Sequence, residues 1–149
     1  MTPTLRQWVP ADNEKILEIE GACFPDPWNE RMLSSLFSTG DYVNLLIEEK
    51  GQILAYMSVF AGLFDWEVMK IAVHPSLRRK GFGAMLLKEA TSLATDKGAE
   101  RFLLEVRSTN VPAISLYRRF GFKVDGVRKG YYPDGEDCLL MSLELSRGL

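Results

Sequence analysis

Cysteine and histidine are scarce in this chain: Cys23, Cys138 and the single His74 are the only ones among 149 residues. Their spacing forms no zinc set, so no metal is expected. Excess charge of one sign is missing too. A formal net charge of -2 and a pI near 5.5 provide no global field to gather nucleic acid, so any basic function has to be local. No apolar run approaches the ~20 residues of a membrane span, and "MTPTLRQWVP" lacks the apolar stretch and cleavage site of a secretory signal. The default expectation is a soluble protein of the reducing cytoplasm, with no membrane partner. Internal repeats, low-complexity tracts and linkers are absent as well. What is present is 46% hydrophobic residues, enough in this length for one ordinary core, and a single domain over residues 1–149 is expected.

Periodicity supplies the elements. "PADNEKILEIEGACF" places Asp12 as N-cap before Ile16, Leu17 and Ile19, and Asn29 does the same before Met32, Leu33, Leu36 and Phe37. Two apolar runs flank Lys50-Gly51, and "EVMKIAV" is a third, which together predict an antiparallel meander. Phe82, Met85, Leu86, Ala90, Leu93 and Ala94 recur at helical spacing, with Gly98 as the stop. "RFLLEV" reads as a buried strand and "NVPAISLYRRF" as a helix closed by Gly121. "KVDGVRKGYY" with "DCLLMSLEL" reads as a hairpin across Pro133 to Glu136. The predicted order is strand, two helices, three strands, helix, strand, helix, two strands.

The local basic feature is "RRKGFG". Arg78, Arg79 and Lys80 precede Gly81 and Gly83 where the long helix begins, and the unpaired N–H groups and positive dipole end of a helix start favour an anion. Several N–H donors from Arg79 to Ala84, Phe82 included, would converge on a pyrophosphate, because the glycines lack the Cβ atoms that hold a backbone away. A solvated basic turn is the competing reading. A dinucleotide fingerprint fits poorly, since "HPSLRRK" separates the strand from Gly81 and Met85-Leu86 stand where the third glycine belongs. A P-loop lacks its Gly-Lys-Ser/Thr.

Arg78, Gly81 and Gly83 match the Arg/Gln-x-x-Gly-x-Gly/Ala signature of GNAT acetyltransferases. Asn110, Ala113, Leu116, Tyr117, Gly121 and Phe122 match that superfamily's second motif. "CFPDPWNE", "IAVHP", "LEVRSTN" and "YYPDGEDCLLMSLEL" extend the resemblance, over nearly the whole chain, to the ribosomal-protein-alanine N-acetyltransferases of the RimI type. The resemblance implies an α/β (α+β) fold, a mixed central sheet of seven strands flanked by four helices. It also implies acetyl-CoA as cosubstrate, bound at Arg78–Ala84. The backbone of Ile71, Ala72 and Val73 would pair with the pantetheine arm, and Asn110 would meet the same arm, although Asn110 reads equally well as a helix N-cap.

Acetyl transfer to an amine needs a base and a proton donor for the departing sulfur. Glu105, a carboxylate inside an apolar strand, is the candidate base, and burial there would raise its pKa. Strand alternation alone leaves open an edge-facing Glu105 paired with Arg107 or another cation. Tyr117 is the candidate acid by resemblance, while its stripe with Ile114 and Phe120 equally suits core packing. His74, before Pro75 at a strand end, reads as a loop residue. On the acceptor side, Trp28, Tyr131 and Tyr132 either line a peptide groove or plug the core, and Glu67 is a second candidate carboxylate. The bulky stretch Leu63 to Trp66 has no counterpart in the family motifs. The expected activity is N-terminal acetylation of a ribosomal protein, with alanine as first residue. A GNAT enzyme for lysine or a small amine, and a non-catalytic acetyl-CoA sensor, remain as alternatives.

Overall fold

The apolar runs in "NLLIEE" and "QILAYMSV" become a tight hairpin because Lys50 and Gly51 both take positive φ, 52° and 78°, as a type I′ turn requires. In the computed structural model, which describes residues 2–145, the strands are β1 Thr4–Gln7, β2 Tyr42–Glu49, β3 Gln52–Ala61, β4 Asp65–Val73, β5 Arg101–Arg107, β6 Lys123–Arg128 and β7 Cys138–Glu144. The α-helices are α1 Asn13–Cys23, α2 Glu30–Ser35, α3 Phe82–Asp96 and α4 Val111–Phe120. This is the element order read from the sequence. One mixed sheet carries the strands in the order β1-β2-β3-β4-β5-β7-β6. β4 and β5 run parallel, as a helical crossover through α3 requires, while β1/β2, β2/β3, β5/β7 and β6/β7 are antiparallel.

The described residues gather into two compact units, one spanning the chain to Phe60 plus Met69–Lys88, the other Ala61–Val68 plus the chain from Glu89. In the first, α1 and α2 bury Ile16, Leu33 and Leu36 against Leu46, Tyr56 and Trp8. Asn29 caps α2 as expected, its Oδ1 accepting from Met32 N at 2.9 Å. Asp12 does not cap α1. A 3₁₀ turn, Pro10–Asp12, precedes the helix, Asp12 itself is helical in φ and ψ, and its carboxylate accepts instead from Val9 N and from Arg6. The expectation failed because Arg6, on β1, competes for the same oxygens.

In the second unit β5 turns Phe102, Leu104 and Val106 inward. Phe102, fully buried, meets Trp66 and Phe122 with ring centroids 6.3 and 6.4 Å apart; truncation of such a ring to alanine costs ~3–5 kcal/mol. α4 ends on Gly121 at φ 118°, with Phe122 N donating to Tyr117 O and Gly121 N to Arg118 O, a Schellman closure. The final hairpin differs from expectation. β6 ends at Arg128, and Tyr131 and Tyr132 belong to a loop over 129–137, because the side chains of that loop bind elsewhere in the unit.

Candidate active site

The basic stretch lies in the first unit. After β4, His74 caps a 3₁₀ turn, Pro75–Leu77, its Nδ1 accepting from Ser76 N at 3.3 Å; it is the loop residue the sequence suggested. Arg78 is extended, Arg79 takes φ 68° and Gly81 φ 86°, and α3 begins at Phe82. A left-handed arginine is an uncommon, strained conformation of the kind concentrated at ligand-binding sites. Met85 N closes the first helical bond on Gly81 O at 3.0 Å, so the N–H groups of Phe82, Gly83 and Ala84 have no partner within the helix. Phe82 and Gly83 are buried, whereas Arg78, Arg79, Lys80 and Gly81 are exposed. A Cβ at Gly81 would meet nothing within 4 Å. Open space, three exposed cations and a free helix start make this an anion site in chemical terms. Ala72 belongs to the core beneath it and Ile71 and Val73 are half-buried.

The candidate proton-transfer groups lie in the second unit. With Phe102, Leu104 and Val106 inward, alternation puts Glu105 on the opposite face of β5. Its side chain is 30% exposed, so the burial expected from an apolar strand is absent: the apolar neighbours in sequence point the other way. Its cation is Arg128 and not Arg107, whose guanidinium goes to Asp134 and Glu136 at 2.9 and 3.0 Å. Arg128 Nη1 lies 3.7 Å from Glu105 Oε2, Tyr131 OH 3.5 Å from Oε1, and Cys138 Sγ 3.9 Å from Oε2. Glu67 stands opposite Leu103 in the parallel register, one pleat along from Glu105 on the same face. Burial, then the charge of Glu105, push its carboxyl above the usual range, against the pull of Arg128.

Tyr117 is 4% exposed and packs on Phe122 at 5.8 Å. Burial pushes its phenol well above the ordinary range, with a smaller contribution from Tyr132, so the hydroxyl stays protonated and can donate. Asn110 caps α4 through Ala113 N at 3.3 Å. Tyr131 and Tyr132 stack edge to face at 5.2 Å, and Arg107 lies over the Tyr132 ring at 4.1 Å. Their loop is fastened by Glu136, which accepts from Thr109 N at 3.0 Å and from the Thr109 hydroxyl, and by Asp137, whose carboxylate accepts from Gly130 N at 2.9 Å. The sequence reading missed Arg128, Cys138 and Glu136; only the turn signal "PDG" hinted that this loop is ordered. Among the described residues no group of three or more His, Cys, Asp or Glu is placed to hold a metal ion, and no helix is long and apolar enough to cross a membrane.

The sequence model of the Acetyltransferase (GNAT) family matches residues 13–122. The chain belongs to the GNAT family of acetyltransferases. A Bacillus subtilis (strain 168) protein provisionally named [ribosomal protein bS18]-alanine N-acetyltransferase is 36% identical over 132 residues, 87% of either chain. The Escherichia coli (strain K12) [ribosomal protein bS18]-alanine N-acetyltransferase is 33% identical, over 86% of this chain and 88% of its own. The crystal structure of the ribosomal-protein-S18-alanine N-acetyltransferase from Escherichia coli superimposes with a TM-score of 0.91 over 99% of this chain and 97% of that one, at 30% identity. The seven-stranded mixed sheet with four helices is therefore the GNAT fold, and the protein is an N-acetyltransferase.

Proposed function

We propose that this GNAT protein transfers the acetyl group of acetyl-CoA to the N-terminal α-amine of a ribosomal protein whose first residue is alanine. The observation that carries this reading is the similarity, over nine-tenths of the chain or close to it, to proteins named for that reaction. Acetyl-CoA supplies a thioester carbonyl open to attack by an amine. The anion site suits its pyrophosphate: Arg78, Arg79 and Lys80 supply charge, and the start of α3 from Gly81 to Ala84 supplies N–H donors. The edge of β4 at Ile71–Val73 and the amide of Asn110 are the groups for the pantetheine arm.

In the transfer a C–N bond forms and a C–S bond breaks. Glu105 takes the amine proton, directly or through water, and its partial exposure leaves room for either. Tyr117 donates from its hydroxyl to the departing sulfur. Because burial holds this phenol far above a thiol near 8.5, it stabilises the thiolate by hydrogen bonding more readily than by giving up its proton. An α-amine suits a lone carboxylate base. Its pKa near 7.8 lies about 2.6 units, or ~3.5 kcal/mol, below that of lysine. A ribosomal acceptor also places the reaction in the cytoplasm.

The test uses three matched peptides with acetyl-CoA: one with a free N-terminal alanine, one with a blocked α-amine and an available lysine, and one beginning with a bulky residue. Mass spectrometry locates the acetyl group. The expected result is transfer to alanine well ahead of the other two. Equal transfer to lysine in the blocked peptide would overturn the α-amine reading.

A further inference from the structure

The first unit contains a buried polar cluster with no part in the chemistry above. Glu20, near the end of α1, is fully buried. Its Oε1 accepts from Trp28 N at 2.7 Å and from Lys70 Nζ at 3.0 Å, and its Oε2 accepts from the Tyr56 hydroxyl. The carboxylate thus ties the α1–α2 connection to β3 and β4 at one point. Lys70 adds a second hold, its Nζ lying 3.7 Å from the Phe24 ring centroid and 4.8 Å from that of Trp28. Phe24 N is fixed to the main-chain oxygen of Glu20 at 3.1 Å. Between these two aromatic residues the segment is Pro25-Asp26-Pro27, whose fixed φ values leave little other freedom.

A fully buried carboxylate needs a counter-charge and hydrogen bonds to both oxygens, and an ion pair of this kind is weak evidence for a stabilising role, because an apolar replacement is often as stable. We infer that Glu20 is a positioning residue for acceptor binding: through Trp28 N and Lys70 it holds the segment Phe24–Asn29 in the shape that receives the first residues of the acceptor peptide. The inference rests on the proposed function and on the reading of Trp28 as a residue that lines the acceptor groove while it packs on the core. Specificity then comes from a pre-shaped loop, whose ordering is completed during folding and is not repeated at each binding event. The amide of Glu20→Gln has one acceptor oxygen where the wild-type donors use two, so its NH₂ faces either Trp28 N and Lys70 Nζ at the Oε1 position or the Tyr56 hydroxyl at the Oε2 position.

The experiment compares wild type with Glu20→Gln by steady-state kinetics on the alanine peptide and by hydrogen exchange at the Trp28 amide. The expected result is an acceptor KM raised about tenfold, with acetyl-CoA KM and saturated turnover within about twofold, because the loss lies in acceptor positioning. Exchange at Trp28 speeds up in parallel. A variant that melts earlier yet keeps wild-type acceptor KM would show that the cluster is only structural and overturn the inference. If Glu20→Gln does not fold, Tyr56→Phe, which removes one donor and leaves the ion pair, is judged by the same readouts with a rise in acceptor KM of about threefold expected. A wild-type protein that acetylates none of the three peptides overturns the functional reading first, and this inference with it; an active wild type with an indifferent Glu20→Gln overturns the inference alone.

Discussion

Glu20 and Glu105 are both carboxylates on apolar elements, one in each unit, and they are held in opposite ways. Glu20 has no exposure and accepts three close hydrogen bonds, two of them at 2.7 and 3.0 Å. Glu105 is 30% exposed, and its neighbours stand off at 3.5, 3.7 and 3.9 Å. The first has both oxygens engaged by buried partners and no exposure to solvent, so it can bind only what already surrounds it. The second has partners at the limit of hydrogen bonding and can accept a proton from a molecule that arrives. The family match says that a proton must be moved; the partial exposure of Glu105 is what supports its proposed role as the base.

The sharpest way to break this contrast is Glu105→Gln. Loss of a general base lowers the single-turnover rate by roughly 10²–10⁴-fold, while thermal melting stays near that of wild type because the side chain is partly solvated. A stability loss with an unchanged rate would reverse the two roles. Next in size is Glu20→Gln, which unpairs Lys70 in the interior and lowers unfolding free energy by ~3 kcal/mol in urea titration; a loss below ~0.5 kcal/mol would mean that the cluster relaxes onto water. Tyr117→Phe keeps the ring against Phe122 and removes only the hydroxyl. Turnover should fall roughly 10²-fold with acetyl-CoA affinity, measured by calorimetry, preserved. An unchanged rate would return Tyr117 to the packing stripe.

The smallest effect concerns Glu67. Its carboxyl is raised in the folded protein, by burial first and then by Glu105, so the folded state holds its proton longer than the unfolded chain. Stability is therefore lost as pH rises from the unfolded carboxylate range near 4.3 through the folded value. Glu67→Gln removes that loss. Its stability relative to wild type should be higher at about pH 7 than at about pH 3, by chemical denaturation. An equal difference at both pH values would mean that neither burial nor Glu105 raises this carboxyl in the folded protein.

Where a signal is local, the sequence was legible. Asn29 and Asn110 cap the helices they precede, Gly121 closes α4 with positive φ, and Lys50-Gly51 makes the hairpin. Asp12 misled because a competing partner, Arg6, sits on another element. Glu105 misled in its burial, since alternation establishes two faces without saying which is covered. Tyr131 and Tyr132 misled because the anchors that take them out of the strand, Glu136 on Thr109 and Asp137 on Gly130, are side-chain contacts with no periodicity.

By itself, the sequence determined the element order, the caps of α2 and α4, the basic, glycine-bearing start of α3 and the two motifs that mark an acetyltransferase, all of which depend on residues a few positions apart. Only the tertiary structure decided what stands beside Glu105. β7 enters the sheet between β5 and β6, which sets Leu140 opposite Glu105 and places Cys138 opposite both Arg107 and Arg128. It likewise decided that Glu20 meets Lys70, fifty residues away in the chain. Both environments arise from strand insertion and cross-element packing, in which the partners of a side chain are fixed by the closing of the core and leave no trace in the spacing of nearby residues.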